Sequence, residues 1–523
     1  MRFFNTEGPN RPDLHYCLPP LVRWDLDEVL RLIDQEKYFL LHAPRQTGKT
    51  TCLLALMEHL NREGRYGAVY ANLEGAQTAR EDVGRGLRTI CGAIGAAARL
   101  RLGEESLFEW TEAAWQEQGA DGVLTGLLTH WSLASPQPIV LLLDEVDALI
   151  GDTLVALLRQ LRAGYAQRPR AFPQTVVLCG VRDLRDYRIH ASSERAVITG
   201  GSAFNIKAKS LRLGDFSAEE TRTLLLEHTQ ETGQVFTPEA LDHVWEQTQG
   251  QPWLVNVLAY RACFELPAGR DRRQPITRAL IDQAKEAMIV ERVTHLDQLA
   301  HKLQEPRVRH VIEPMLAGTM LGDVPDDDIQ YLLDLGLLRQ QSGGLSVANP
   351  IYREVLPRML AFTPQASLPR ISPTWLNADG VLNPEALLTA FLAFWRQHGE
   401  PLLGSAPYHE IAPHLVLMAF LHRVINGGGT LEREYAIGSG RMDLCLRYGA
   451  VTLGMELKVW RDGKPDPLAQ GLTQLDAYLA GLGLGGGWLV IFDRRTGQPP
   501  IEERTRSEAA TSPAERRILV VRA

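Results

Sequence analysis

The sequence is poor in cysteine. Its six cysteines, Cys17, Cys52, Cys91, Cys179, Cys263 and Cys445, lie far apart and form no CxxC pair. That spacing argues against a zinc site or a disulfide framework and fits a reducing cytosol. Long apolar runs are also missing, and none reaches the roughly 18–20 residues that cross a bilayer. The opening MRFFNTEGPN has no apolar signal core. Membrane, secreted and fibrous classes are therefore set aside, and a cytoplasmic protein is expected. Positive charge is not in surplus: 55 Lys and Arg stand against 63 Asp and Glu, a net charge of −8. Any contact with nucleic acid must rest on a local basic surface, not on bulk charge. There is no internal repeat. What remains is an ordinary globular composition, 45% hydrophobic and 23% charged over 523 residues. At roughly 100–200 residues per domain, that length predicts three or four domains.

Up to about residue 205, short apolar strands alternate with helical stretches. Tyr38–His42, Tyr66–Leu73, Ile139–Leu143 and Thr175–Cys179 read as strands, and Lys49–Leu60 as a helix. Continuous apolar strands separated by helices predict an α/β fold with a parallel sheet. From Phe216 the period becomes helical. Ser217 with Glu220 three residues on is a capping box, and a small helical domain is expected over 206–285. Residues 286–362 read as a winged helix, with its wing at Leu337–Arg339, a Ser342-Gly343-Gly344 turn and Leu345–Val347. The proline-rich PQASLPRISP within 363–380 reads as a linker. Residues 381–523 read as a separate α/β domain of helix, strands, helix and strand.

Ala43, Pro44, Arg45, Gln46, Thr47, Gly48, Lys49 and Thr50, followed by Thr51, occupy the turn between a strand and a helix. This is the position of a phosphate-binding loop. Backbone N–H groups and the helix N-terminus attract phosphates; Lys49 would reach the β- and γ-phosphates, and the Thr50 hydroxyl would sit on Mg²⁺. Ala43 departs from the glycine that opens GxxxxGK[ST]. In IVLLLDEVDAL, Asp144 and Glu145 end a buried strand. Asp144 would hold Mg²⁺ through water, and Glu145 would polarise the attacking water.

These motifs, with an additional strand before the phosphate-loop strand, resemble the AAA+/STAND class of P-loop ATPases over roughly residues 1–360. The resemblance implies an ATPase core over 1–205, a helical lid and a winged helix. It makes Arg182 the residue that senses the γ-phosphate. Gly250-Gln251-Pro252 matches the class GxP motif, whose proline approaches the base. A solvent-facing salt bridge for Arg182 and a simple helix-start proline for Pro252 are the alternatives.

RMDLCLRYGAVTLGMELKVW, residues 441–460, predicts a hairpin turning at Gly449-Ala450. In that register Asp443 opposes Glu456, and Arg441 opposes Lys458. Alternation gives one wholly apolar face. The other carries Arg441, Asp443, Cys445, Arg447, Thr452, Gly454, Glu456 and Lys458. Opposed carboxylates repel unless a cation joins them, and hard oxygen donors suit Mg²⁺ or Mn²⁺. Lys458 would orient a water or stabilise phosphorane charge. Gly454 would leave room for a backbone phosphate.

Asp443 followed by Glu456-x-Lys458 resembles the PD-(D/E)xK nuclease superfamily. So does the order of strand Thr430–Ile437, hairpin, helix Pro467–Leu479 and strand Trp488–Asp493. The resemblance gives Gln470, Gln474 and Tyr478 on that helix a role at metal or substrate, and makes Glu410 a further candidate metal ligand. Met442 stands where the family often has proline.

Together the parts suggest an ATP-dependent or ATP-gated nuclease acting on nucleic acid, DNA ahead of RNA. A homo-oligomer, a protein trigger and a role in bacterial defence against phage or mobile elements are expected by analogy. The alternatives are a DNA-binding ATPase or a STAND-like signalling switch, either with a non-catalytic C-terminal module.

Overall fold

The structure is a computed structural model. It describes residues 1–149, 151–182, 188–190, 197–199, 206–291, 299, 301–316, 321, 324–341, 344–367, 373–405, 412–425, 429–436 and 441–523, some by backbone alone. The chain divides into two compact units, Met1–Met288 with Gln330–Leu338, and Ile289–Ile329 with Arg339–Ala523.

The first unit is built on a five-stranded, wholly parallel sheet. Its spatial order is Gly67–Asn72, Ile139–Asp144, Thr175–Gly180, Tyr38–His42 and Lys207–Arg212. Successive side chains enter different cores. Leu40, Leu141, Leu143 and Leu178 pack with Ile90, Leu127 and Leu158 on one face. Phe39, Leu41, Leu142 and Val177 pack with Leu53, Leu56 and Leu60 on the other. Helices cover both faces, so apolar residues run continuously along the strands.

Two details differ from the sequence reading. No strand of this sheet precedes Tyr38–His42. The earlier pieces, Phe3–Phe4 and His15–Tyr16, form a two-stranded sheet of their own. The fifth strand, Lys207–Arg212, lies beyond the boundary at 205. An edge strand need not be apolar, and its Lys209 and Arg212 are exposed. Helices Ala218–Thr232, Pro238–Thr248 and Pro252–Tyr260 follow, the first opened by the Ser217–Glu220 capping box.

Where a wing was expected, strands Leu338–Gln341 and Gly344–Val347 pair as a two-stranded sheet; Ser342 and Gly343 lie outside the described residues. Helix Pro350–Ser367 runs into the stretch read as a linker, and Trp375 is buried against Phe420, with ring centroids 5.8 Å apart. A six-stranded mixed sheet follows, ordered Gly429–Ala436, Arg441–Tyr448, Val451–Trp460, Gly486–Asp493, Arg517–Arg522 and Arg506–Thr511. The last two strands and the pair of helices Pro384–Ser405 and Ala412–Ile425 go beyond the simpler order expected. Helix Leu468–Leu482 crosses over between two parallel strands, as such a connection requires. Its Leu475 and Leu479 pack with Cys445, Leu489 and Val520. On the opposite face Trp395 and His414 meet Phe492, at 5.0 and 5.7 Å between centroids.

Candidate functional site

The phosphate loop leaves strand Tyr38–His42 and enters helix Lys49–Glu63. Its left-handed residues are Gln46, φ 59°, and Gly48, φ 94°. Ala43 has no such angle, so the missing first glycine needs no special conformation. Gly48 is the position that does: a β-carbon there would also meet the Arg23 guanidinium at 2.7 Å. Lys49 is buried, and its Nζ donates to the carbonyls of Ala43 and Pro44, both at 2.9 Å. Thr47 Oγ1 donates to Pro44 O at 2.8 Å. Arg45 and Gln46 are exposed, whereas Thr51 is half-buried and accepts from Asn10 N–H.

Asp144 is wholly buried. Its Oδ2 accepts from Thr50 Oγ1 at 2.7 Å and from Tyr70 OH at 3.0 Å, and its Oδ1 accepts from Glu145 N–H at 2.9 Å. A buried carboxylate beside a hydroxyl and an ammonium fits Mg²⁺ with a nucleotide triphosphate: hard oxygen donors for the ion, and a cation and loop N–H groups for phosphate. Glu145 adopts a left-handed conformation, φ 57°. Burial first, then Asp147 and Asp144, push its carboxyl above the ordinary glutamate range.

Strand Thr175–Gly180 lies between the phosphate-loop strand and the Asp144 strand, so Arg182 emerges between the two motifs. Its guanidinium lies over the Tyr331 ring, 4.9 Å from the centroid, and 3.9 Å from the Asp334 carboxylate. Pro252 is buried and starts its helix, with the Gln251 side chain capping Leu254 N–H. The preceding Gly250, φ 78°, lies so close to the Phe216 backbone that a β-carbon would collide with its carbonyl.

Sequence reasoning missed two residues here. Tyr70 gave only a faint signal, a phenol in a strand of Gly, Ala and Val. Arg23 gave none. It donates to Thr47 O at 2.6 Å and to Gly214 O at 2.8 Å, and lies over the Phe216 ring. It thereby ties the phosphate loop to the segment that leads into helix Ala218–Thr232.

Residues 33–187 match the family model described as an AAA domain. The chain therefore contains an AAA-type P-loop ATPase domain. No curated protein matches the sequence. Among solved structures, a Walker-type ATPase of Pyrococcus abyssi aligns over 68% of this chain and 99% of its own, at 13% identity and a TM-score of 0.43. The RuvB Holliday junction branch migration motor of Thermotoga maritima covers 64% of this chain and 95% of its own, at 13% identity and 0.34. Cdc6p of Pyrobaculum aerophilum covers 68% and 95%, at 15% and 0.35. Likenesses this distant say nothing of substrate or partner.

The second candidate site is in the second unit. The hairpin register pairs Asp443 with Glu456 and Tyr448 with Val451. Glu456 is 0% exposed and Lys458 5%. Lys458 Nζ stands 2.7 Å from Glu456 Oε1, yet neither carboxylate oxygen receives a well-directed hydrogen bond among the described residues. A buried carboxylate in that state fits a hard cation. Among the described residues no group of three His, Cys, Asp or Glu could hold a metal. Glu410 and the Asp443 side chain lie outside them.

Beside Gly454 the polar face of the hairpin is not open. Helix Leu468–Leu482 covers it, and a β-carbon on Gly454 would meet Leu479 at 2.7 Å. The room expected there for a backbone phosphate is filled by leucine. Tyr478 is buried, Gln470 exposed, and Gln474 half-buried with its Oε1 unpartnered among the described residues. No helix is long and apolar enough to cross a membrane.

Proposed function

We propose that the AAA-type ATPase gates a metal-dependent nuclease built on the C-terminal sheet. The observation that carries the reading is the cross-strand pair Asp443–Glu456, with Lys458 two residues on and ion-paired to the buried Glu456. Asp443 and Glu456 would hold Mg²⁺ or Mn²⁺, with Glu410, Gln470 and Gln474 as further candidates. The bound ion would supply Lewis-acid activation of the scissile phosphate. Lys458 would orient a water or stabilise charge developing on phosphorus.

On the ATPase side, Lys49 and the loop N–H groups would hold the phosphates, Thr50 and Asp144 the Mg²⁺, and Glu145 the attacking water. Arg182, engaged with Asp334 and Tyr331, would exchange those partners for the γ-phosphate and so carry nucleotide state to the winged helix. Pro252 would border the base. A homo-oligomer, a protein trigger and cytoplasmic defence against phage or mobile elements complete the proposal. A second reading, a non-catalytic module, draws on the leucine packing over Gly454 and the full burial of Glu456.

The test is Mg²⁺-dependent cleavage of plasmid, single-stranded DNA and RNA, with and without ATP. Asp443→Ala and Glu456→Gln are expected to lose cleavage and keep ATP hydrolysis. Lys49→Ala should lose hydrolysis, and Glu145→Gln should fix cleavage in one state. Cleavage unchanged in Asp443→Ala and Glu456→Gln sinks the hairpin assignment. Equal cleavage by wild type, Lys49→Ala and Glu145→Gln sinks the gating.

A further inference from the structure

At the C-terminal ends of the parallel strands Val451–Trp460, Gly486–Asp493 and Arg517–Arg522 lies a cavity of about 330 Å³. This is where open α/β sheets form binding crevices. Its lining includes Trp460, Ile491, Arg495, Arg504, Arg506 and Arg522.

The sheet register ties the cavity to the hairpin. Lys458 pairs with Ile491, Ile491 with Arg522, and Arg522 with Arg506. Side chains paired across neighbouring strands share a face. These four therefore form one row, running from the candidate catalytic lysine to the cavity. Arg522 is two strand spacings from Lys458, roughly 10 Å. Trp460, two residues beyond Lys458, is on that face too.

The charges in the cavity are unevenly satisfied. Asp493 is committed to Arg495 at 2.7 and 2.9 Å, and that guanidinium stacks on Trp460, 3.4 Å from the ring centroid. Arg522 is held by Asp466 at 2.9 Å and Glu508 at 3.0 Å. Arg504 and Arg506 form no ion pair among the described residues, and Arg504 Nε is buried without an acceptor. Burial accordingly depresses the hold of Arg504 on its proton. Arg506 directly opposes Arg522 across the strand pair, a like-charge juxtaposition that destabilises a sheet. A buried donor without acceptor at Arg504 and the charge of Arg506, with no ion pair among the described residues, are both met by one ligand chemistry, a phosphate, whose oxygens match the fork of arginine.

We infer that this cavity is a phosphate subsite for a nucleic-acid strand, holding a backbone phosphate that flanks the one presented to Lys458. The inference rests on the nuclease reading for its substrate class. Arg504 and Arg506 supply the free charge, and the Trp460–Arg495 stack is a rigid wall beside it.

The test uses the full chain and a fluorescein-labelled single-stranded oligonucleotide in EDTA, so that binding is read without metal-dependent cleavage. Arg504→Ala with Arg506→Ala is expected to weaken binding about tenfold. The slope of log affinity against log salt should become shallower by about 0.7, the contribution of one phosphate on a single strand. Arg504→Lys with Arg506→Lys should recover the slope and only part of the affinity, since the charge returns without the fork. ATP hydrolysis should be unchanged in both variants, and the melting temperature of the alanine variant should not fall, since it loses only an unsatisfied donor and an opposed like charge. Cleavage is measured in parallel in Mg²⁺. If wild type cuts while the alanine variant binds with unchanged affinity and slope, the subsite is overturned and the nuclease reading stands. If wild type binds without cutting and the alanine variant loses binding, the nuclease reading falls and the subsite stands. A mononucleotide that displaces the oligonucleotide at equal concentration overturns the assignment to a strand, because the site then takes free nucleotide.

Discussion

Lys458→Met should be the most destabilising single change at the hairpin. Glu456 is wholly buried, and Lys458 Nζ is 2.7 Å from its Oε1. At an effective dielectric of about 20, two unit charges at that separation attract by about 6 kcal/mol. Most of that is offset by withdrawing both ions from water, several kcal/mol each. The pair is therefore worth little net, but its halves are not independent. Removing the ammonium leaves a buried carboxylate uncompensated, at a cost of about 3–5 kcal/mol. The second unit is of a size for which 1 kcal/mol shifts melting by about 2–4 °C. A fall on the order of 10 °C is expected in the calorimetric transition of that unit. Glu456→Leu with Lys458→Met should recover most of it, since neither charge then remains. Added Mn²⁺ should raise the melting of Lys458→Met, because a cation replaces the lost ammonium. If the single and double variants melt alike, or the single variant melts with wild type, the buried pair is not what holds this region. If Mn²⁺ shifts neither protein, Glu456 is not a ligand.

Two further outcomes follow from buried polar groups. Burial, then the charges of Arg461 and Lys458, hold His414 down to about 3, against an ordinary 6.5. It stays neutral in the fold while the unfolded chain takes up a proton. The stability it contributes is present above pH 6.5 and is lost as pH falls toward 3, by about 1.4 kcal/mol per pH unit. His414→Met should flatten the acid limb of urea unfolding measured across that window, and an unchanged limb counts against the burial argument. Tyr70→Phe removes the phenol that orients Asp144. The Mg²⁺ needed for half-maximal ATP hydrolysis should rise about tenfold, the usual effect of losing an outer partner of a metal ligand. An unchanged Mg²⁺ requirement would leave Tyr70 a packing residue.

Local chemistry determined what the sequence could say unaided. Gly48, Lys49 and Thr50 between a strand and a helix, and Asp144-Glu145 after a buried strand, carry their function in neighbours along the chain. The hairpin register also followed from local chemistry, a two-residue turn at Gly449-Ala450 whose pairing leaves one face of the hairpin wholly apolar. Three things were decided only by tertiary structure. Tyr70 reaches Asp144 because two strands distant in sequence lie side by side. Arg23 reaches Thr47 and Gly214 from outside the sheet altogether. The space beside Gly454 on the polar face of the hairpin is closed because the crossover helix returns over it and fills it with Leu479. Each depends on which element packs against which. Apolar periodicity says that a face is buried, but it does not name the partner that buries it.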